Sequence, residues 1–256
     1  MDLELKDKVF LLTGGAKGIG AAISRALATE GAIPVIVDRD VEAANALRSD
    51  LPRSEIVIAE LSSPENCYSA FDHTIGKFNR LDGLVNNAGV NDKVGLEHGS
   101  PQKYVESLQR NLLHYYNMAY FALPHLKRSR GSIVNISSKT ALTGQGGTSG
   151  YASAKGAILA LTREWAVELA DYGIRVNAII PAEVMTSLYR QWLDSFLRPE
   201  EKLKSLVAKI PFEKRMTTPE EIAAMVVFLL SARAAHITAQ HIFVDGGYVH
   251  LDRALT

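Results

Sequence analysis

The sequence predicts an α/β fold, a single domain built on a doubly wound parallel sheet of seven strands with helices on both faces. Short apolar runs rich in β-branched residues alternate with longer segments of helical period, which is the pattern of repeated β-α units. The runs are apolar throughout, as in strands that helices cover on both faces. The 256 residues contain no repeat, low-complexity tract or long linker, so one domain over residues 1–256 is expected.

Seven strands and seven helices follow from these segments. The strands are Val9–Thr13, Ile33–Asp38, Glu55–Ala59, Gly83–Asn86, Ser132–Ile136, Arg175–Ile179 and His241–Val244. The helices are Ile19–Glu30, Val41–Arg48, Pro64–Phe78, Pro101–Arg128, Gly150–Tyr172, Pro199–Lys209 and Pro219–Ala232. Ser63 and Thr218 stand directly before Pro64 and Pro219, where a hydroxyl caps free N–H groups and proline is tolerated in the first turn.

Composition and charge exclude several classes of function. The 28 Lys and Arg residues balance 28 Asp and Glu residues without a long basic block, so no nucleic-acid partner is expected. The longest apolar run, Ile222–Leu230, is far short of the ~20 residues that span a bilayer. The single Cys67 and a charged N-terminal segment without an apolar stretch predict the reducing cytoplasm. The expected partners are therefore small molecules or copies of the same chain.

Residues 13–20, with the sequence TGGAKGIG, join the first strand to the first helix. Glycines there let the backbone approach a pyrophosphate, and the free N–H groups at a helix N-terminus face its charge. A Gly-rich turn in this position is typical of a Rossmann dinucleotide site, although a tight turn without a ligand has the same composition.

Asp38 ends the second strand about twenty residues later, where a carboxylate can accept the hydroxyls of an adenosine ribose. Because it would repel a 2′-phosphate, NAD is expected rather than NADP. The neighbouring Arg39 leaves NADP open, since a guanidinium could stack on adenine or accommodate the phosphate. Asp40 is expected to cap the next helix.

Tyr151 and Lys155 are four residues apart near the start of a helix, so their side chains project from one face. An ammonium ~4–6 Å from a phenol lowers its pKa by roughly 1–3 units, which would allow Tyr151 to act as a general base. Taken alone, the pair also fits an ordinary exposed helix face.

Polar residues also follow two neighbouring strands at the carboxyl edge of the sheet, where such folds bind ligands. Ser138 comes after the fifth strand, and the segment 87–89 comes after the fourth. Asn111 lies inside the long helix that follows, where asparagine is disfavoured unless its side chain has a task. Each of these residues alone fits a cap or turn.

The order of these motifs on successive β-α units resembles the short-chain dehydrogenase/reductase family over essentially the whole chain, from Lys8 to residues 244–247, VDGG. The resemblance implies a catalytic set of Asn111, Ser138, Tyr151 and Lys155. Tyr151 would be the acid/base, Ser138 would orient the reacting oxygen, Lys155 would bind the nicotinamide ribose and lower the Tyr151 pKa, and Asn111 would hold a water. It also implies a homotetramer and NAD as cofactor, with NADP as the alternative. The cofactor-binding residues would be Gly14, Lys17, Gly18, Ile19, Gly20, Asp38, Arg39, Glu60, Leu61, Asn87, Ala88, Gly89, Tyr151, Lys155, Pro181, Val184 and Thr186.

Two positions depart from the family pattern. Glu60 and Leu61 stand where the family has Asp followed by Val or Leu to meet the adenine. Ala182 stands where the family has glycine after Pro181, and Glu183 follows it. A carboxylate is therefore expected beside the nicotinamide pocket.

The residues expected around the substrate are mostly hydrogen-bonding ones. They are Asn91, Ser138, Lys139, Gln145, Tyr151 and Glu183. This set suits a polyhydroxylated molecule and is expensive to desolvate against an acyl chain, unless the side chains only face water at the rim. Longer strings at 137–140, 144–146, 162–167, 181–186 and 250–255 resemble bacterial L-fucose dehydrogenases. That resemblance implies oxidation of C1 of L-fucose to the 1,5-lactone, with D-arabinose and L-galactose as lesser substrates.

Three other functions remain open at this point. A dehydrogenase of a sugar acid such as 2-keto-3-deoxy-L-fuconate would need a cation in the pocket, for which Lys93 or Lys139 could serve. A ketoacyl carrier-protein reductase would prefer NADP and carry a basic docking patch. A redox sensor would bind dinucleotide and regulate a partner. No metal is expected, because His236 and His241 have no third ligand at metal-binding spacing.

The C-terminal part of the chain carries three structural expectations. Residues 181–212, with aromatic side chains at Tyr189, Trp192 and Phe196, are expected to form a substrate lid. The apolar helix at 222–230, the last strand and an extension over residues 248–256 are expected at a subunit contact, with the tail from 250 to 256 crossing to a neighbouring subunit. Cys67 is expected to be inert packing.

Overall fold

A computed structural model describes residues 1–251 and has a single seven-stranded sheet. The strands are β1 (Val9–Thr13), β2 (Ile33–Asp38), β3 (Glu55–Ile58), β4 (Gly83–Asn86), β5 (Ser132–Ile136), β6 (Arg175–Pro181) and β7 (His241–Val244). They pair in the order β3-β2-β1-β4-β5-β6-β7, and every pair is parallel. The predicted fold class is confirmed.

The strand boundaries differ from the predicted ones at two places. β3 ends at Ile58, one residue early, and β6 continues to Pro181 instead of ending at Ile179. The extension of β6 follows from its neighbour, because Ile180 pairs with Phe243 and Pro181 pairs with Val244.

Ten α-helices connect the strands of the described chain. They are α1 (Gly18–Thr29), α2 (Val41–Asp50), α3 (Pro64–Phe78), α4 (Pro101–Leu108), α5 (His114–Ser129), α6 (Thr140–Thr143), α7 (Ser149–Glu168), α8 (Ser187–Asp194), α9 (Pro199–Val207) and α10 (Pro219–Leu230). Predicted caps are confirmed: Asp40 accepts from the Ala43 N–H at 2.9 Å, Ser63 caps α3, and Thr218 forms a capping box with Glu221.

The predicted helix over Pro101–Arg128 is not continuous. A π-helical turn, Gln109–Leu113, separates α4 from α5. Asn111 in this turn donates to the Ser107 carbonyl at 3.0 Å and accepts the Val90 N–H at 2.7 Å, so its side chain ties the irregular turn to the loop after β4.

Both faces of the sheet are covered by helices. On one face, Leu11 and Val37 pack with Phe71 of α3, Met118 of α5 and Trp165 of α7. The other face buries its apolar strand residues against α1 and α10; its cluster includes Phe10, Leu12, Ile23, Leu27 and Ile222. The apolar residues of α10 are therefore mainly buried in the core of their own chain. That this helix also contacts a second copy stays a prediction.

The direction of strand progression reverses between β1 and β4. Connections leave these two strands toward opposite sides, which opens a cleft beyond their carboxyl ends. Among residues 1–251, no helix combines the length and apolar character needed to cross a bilayer.

Candidate active site

A cavity of about 690 Å³ lies at the carboxyl ends of the strands. Every residue that the sequence assigned to the cofactor lines it: Gly14, Lys17, Gly18, Ile19, Gly20, Asp38, Arg39, Glu60, Leu61, Asn87, Ala88, Gly89, Tyr151, Lys155, Pro181, Val184 and Thr186. Ser138 lines the same cavity, so the predicted dinucleotide residues and most of the predicted catalytic residues share one space.

The Gly-rich turn has a shape that only glycine allows at two of its positions. Gly14 has a φ of +62°, and a Cβ added there would lie 2.8 Å from the Ala88 Cα. A Cβ on Gly20 would lie 2.0 Å from the Gly14 carbonyl oxygen. At the start of α1, Lys17 supplies no side-chain cap, and its ammonium pairs with Asp40 instead. The N-terminal end of the helix therefore keeps uncapped N–H groups beside the cavity, which fits a pyrophosphate.

Asp38 lies beside this turn and lines the same cavity. Its carboxylate accepts the Ala16 N–H at 2.9 Å and the Asp40 N–H at 3.0 Å. Arg39, next to it, is ion-paired with Glu60 at 2.8 Å. The hydrogen bond that Arg39 donates to Glu60 raises the pKa of Arg39. The guanidinium that could have met a 2′-phosphate is thus already engaged by a carboxylate.

Lys155 is almost fully buried, with 2% of its surface exposed. Its Nζ donates to the Ile136 carbonyl at 2.7 Å and to the Tyr115 hydroxyl at 3.0 Å. Burial lowers the pKa of Lys155 to about 7.

Tyr151 lies on the same face of α7 as Lys155, whose Nζ is 5.6 Å from the centre of the phenol ring. Burial raises the pKa of Tyr151, and its hydrogen bond with Ser138 lowers it by a smaller amount. The net direction is upward in this structure, opposite to the predicted lowering by Lys155. The ammonium is held by Tyr115 and Ile136, and burial of the phenol dominates.

Asn111 does not line the cavity. Its side chain is fully buried and is used by the backbone groups of Val90 and Ser107. The structure thus gives this mid-helix asparagine the task that its unfavourable position implied. That it holds a water for proton transfer stays a prediction.

Only some of the residues predicted to bind the substrate line the cavity. Asn91, Ser138 and Tyr151 line the cavity. Lys139 and Glu183 form an ion pair with each other, and the Tyr189 hydroxyl donates to Glu183 Oε2 at 2.7 Å.

Gln145 is exposed in the turn after α6 and is not among the residues that line the cavity. Its side chain therefore does not join Asn91 and Ser138 in this structure.

The segment expected to be a lid contains α8 and α9. Thr186 caps α8 by accepting the Tyr189 N–H at 3.1 Å, a signal readable in the sequence that would have located this helix. Tyr189 stacks edge-on against Trp192 at 5.1 Å, and Trp192 against Phe196 at 4.9 Å. Because Thr186 and Tyr189 also line the cavity, α8 forms part of its wall.

Sequence reasoning missed two groups near Lys155. His114 lines the cavity, and the Tyr115 hydroxyl accepts a hydrogen bond from Lys155. Tyr189, expected in the lid, also lines the cavity. His114 and Tyr115 follow Asn111 by three and four residues, so the helical period that places Asn111 at this edge could have pointed to them.

Within residues 1–251, no three His, Cys, Asp or Glu side chains come together as metal ligands. His241 Nε2 lies 3.0 Å from the Leu159 carbonyl oxygen. Cys67 is buried in the core between α3 and α5, and burial raises its pKa to about 11, which confirms the expectation of inert packing.

The chain is similar to known proteins over most of its length. Residues 14–249 match the family model described as enoyl-(acyl carrier protein) reductase. The L-fucose dehydrogenase of Bos taurus is 37% identical over 241 residues, which cover 94% of this chain and 88% of that protein. The crystal structure of Cj0485 dehydrogenase has a TM-score of 0.96 at 47% identity, covering 100% of this chain and 99% of that chain. The structure of 3-ketoacyl-(acyl-carrier-protein) reductase from Brucella melitensis complexed with NADH has a TM-score of 0.86 at 30% identity, covering 96% of this chain and 100% of that chain.

Proposed function

Because the chain belongs to the short-chain dehydrogenase/reductase family of oxidoreductases, we propose that it is an NAD-dependent sugar dehydrogenase. The proposed reaction is oxidation of C1 of L-fucose to the 1,5-lactone, with D-arabinose and L-galactose as lesser substrates. The observation that carries the proposal is a single cavity with the glycine turn and Asp38 at one end and Ser138, Tyr151 and Lys155 at the other.

The dinucleotide site fits NAD on two observations. Glycine at Gly14 and Gly20 lets the turn keep a tight shape, since a Cβ would collide with Ala88 or with the Gly14 carbonyl oxygen. The uncapped N–H groups at the start of α1 then lie beside the cavity, which suits a pyrophosphate. The Asp38 carboxylate presents negative charge at the ribose end, which suits free hydroxyls and repels a 2′-phosphate. When bound, the nicotinamide supplies the hydride acceptor that oxidation at C1 requires.

The protein's own residues would handle the proton and the sugar oxygen. Tyr151, in its deprotonated form, takes the proton of the C1 hydroxyl, and the oxygen becomes the carbonyl oxygen of the lactone. Ser138, which lines the cavity with Tyr151, holds that oxygen in place. A charged Lys155 nearby favours the deprotonated form of Tyr151 by Coulomb attraction.

A sugar is the substrate class that the polar end of the cavity favours. Asn91, Ser138 and Tyr151 offer amide and hydroxyl groups, which pair well with ring hydroxyls. The similarity to L-fucose dehydrogenase of Bos taurus supports the same class. A sugar acid is less well served, because Lys139 is already neutralised by Glu183.

We also propose a homotetramer in the cytoplasm. Tyr116 and Tyr120 on α5 and Val167 on α7 are large side chains left exposed on one chain, as expected of a surface that another copy covers.

The single unpaired Cys67 fits a reducing compartment. Most of the tail predicted to cross to a neighbouring subunit, residues 252–256, lies outside the described residues. Light scattering coupled to size exclusion would measure the assembly.

Initial rates test the proposal directly. NAD and NADP are each combined with L-fucose, L-galactose, D-arabinose and 2-keto-3-deoxy-L-fuconate, and dinucleotide reduction is followed by the absorbance of the reduced nicotinamide. The expected result is the highest kcat/KM with NAD and L-fucose. Turnover of the keto acid alone would overturn the sugar assignment, and preference for NADP would overturn the role of Asp38. Binding of dinucleotide without turnover of any sugar would favour a sensor.

A further inference from the structure

The Lys155 ammonium is fixed by a closed triangle of hydrogen bonds. Its Nζ donates to the Tyr115 hydroxyl at 3.0 Å and to the Ile136 carbonyl at 2.7 Å, and the Tyr115 hydroxyl donates to the same carbonyl at 2.9 Å. A hydroxyl has one proton to donate, and here that proton goes to Ile136. Its lone pairs are therefore left to accept from Lys155.

Tyr115 is completely buried, so this hydroxyl has no access to solvent as an alternative partner. Burial raises the pKa of Tyr115 well above its usual value, which keeps the phenol protonated. The side chain comes from α5, whereas Lys155 comes from α7 and Ile136 ends β5. Three elements thus meet at one ammonium.

The other titratable groups facing Lys155 are neutral at pH 7. Burial lowers the pKa of His114 to about 4, and the charge on Lys155 lowers it further. Burial also raises the pKa of Tyr151. Among residues 1–251, Lys155 takes part in no ion pair, so uncharged dipoles must stabilise its charge.

An ammonium has three N–H donors, and the triangle uses two of them. Lys155 also lines the cavity, and a Cβ built on Gly89 would lie 3.5 Å from its Nζ. The third N–H of the Lys155 ammonium therefore faces the cavity.

We propose that Tyr115 is a positioning residue whose hydroxyl holds the Lys155 ammonium against Ile136 and leaves its third N–H directed into the cavity. This inference rests on the proposed function, in which Lys155 serves the dinucleotide and Tyr151. Tyr115 itself does not line the cavity.

The test compares Tyr115→Phe with Tyr104→Phe, a control at an exposed tyrosine of α4 that does not line the cavity. The first readout is the pKa of Lys155 in the protein without ligands, followed by NMR of ¹³C-labelled lysine and assigned with Lys155→Met. Loss of an acceptor for the charged form should lower this pKa by about one unit in Tyr115→Phe and leave it unchanged in Tyr104→Phe. The second readout is kcat/KM for the sugar, expected to fall by roughly ten- to hundredfold.

The two readouts separate the two proposals. If the wild type oxidises no sugar, the proposed function fails, while the Lys155 titration still decides the role of Tyr115. If sugar is oxidised and Tyr115→Phe titrates and turns over like the wild type, the role of Tyr115 is overturned and the function stands. Should Tyr115→Phe fail to fold, Tyr115→3-fluorotyrosine keeps the hydroxyl as a weaker acceptor. A smaller fall in the Lys155 pKa is then expected, and no fall overturns the proposal.

Discussion

The guanidinium of Arg39 lies 2.8 Å from the carboxylate of Glu60, and both residues line the cavity at the carboxyl edge of the sheet. Glu60 stands at a position where the sequence departs from its family, and Arg39 is the residue that left NADP open. The pair supports the proposed preference for NAD, since the carboxylate engages the cation that a 2′-phosphate would need.

Glu60→Gln is therefore expected to shift the cofactor preference toward NADP. With Arg39 released, the ratio of kcat/KM for NADP to that for NAD should rise about tenfold, the effect of one hydrogen bond to a charged group. Asp50→Asn is the control, because it breaks the exposed Arg25–Asp50 pair of 2.7 Å, and neither residue lines the cavity. An unchanged ratio in Glu60→Gln would show that Arg39 does not reach the phosphate.

Tyr151→Phe is expected to remove turnover and spare dinucleotide binding. Loss of a positioned general base costs roughly 10²- to 10⁴-fold in kcat, whereas the phenol is not needed for the pyrophosphate turn. Binding of NAD is measured by titration calorimetry, with Tyr172→Phe, an exposed tyrosine, as the matched control. A variant that keeps more than a tenth of the wild-type kcat would exclude Tyr151 as the base.

The raised pKa of Tyr151 also sets a pH dependence for oxidation. Only the deprotonated phenol can take the sugar proton, and burial moves that deprotonation to higher pH. The rate of oxidation should therefore increase as pH rises from neutral, by up to tenfold per unit while Tyr151 is mostly protonated. A rate that is flat from pH 7 to 10 would contradict this assignment.

The features that the sequence predicted well are local ones. The strands and the glycine turn depend on short-range periodicity and on the conformational freedom of residues such as Gly14, so they could be read residue by residue. Every predicted cofactor residue lines the cavity because parallel strands bring their carboxyl ends to one edge.

The features that it did not predict depend on contacts between distant segments. Asn111, in the π-helical turn, accepts a hydrogen bond from the Val90 N–H, and these two residues are 21 positions apart in the sequence. Glu183 is occupied by Lys139, which is 44 residues away, and by Tyr189 of a helix the sequence did not show. The spacing of apolar residues along a sequence does not show which polar side chains will pair in the fold. The sequence therefore placed Glu183 in direct contact with the sugar and did not reveal its pairing with Lys139.

The Glu183–Tyr189 hydrogen bond gives a prediction that separates direct from indirect recognition. Glu183→Gln should raise KM for the sugar far more than KM for NAD, because it weakens the contact that holds α8 against the cavity. If Glu183 acts through α8, Tyr189→Phe should raise the sugar KM by a similar factor. The double variant should then add little to either single variant. If Glu183 binds the sugar itself, the two effects should multiply. Tyr104→Phe on α4, which does not line the cavity, is the control.

Lys155→Met is expected to stabilise the protein in a pH-dependent way. Burial holds the pKa of Lys155 at about 7, below the usual 10.5 of a lysine in water, so the unfolded chain binds more protons between these two values. The free energy of unfolding of the wild type therefore increases with pH across this window, and below about pH 7 the cost of the buried charge is present in full. Methionine removes that cost of a few kcal/mol, and a domain of this size gains ~2–4 °C in Tm per kcal/mol. The gain in Tm should be largest at pH 6 and shrink toward pH 10, whereas Lys6→Met, at an exposed position, should show no such trend. A gain that stays constant with pH would mean that methionine acts through packing and that Lys155 is not the buried charge the structure indicates.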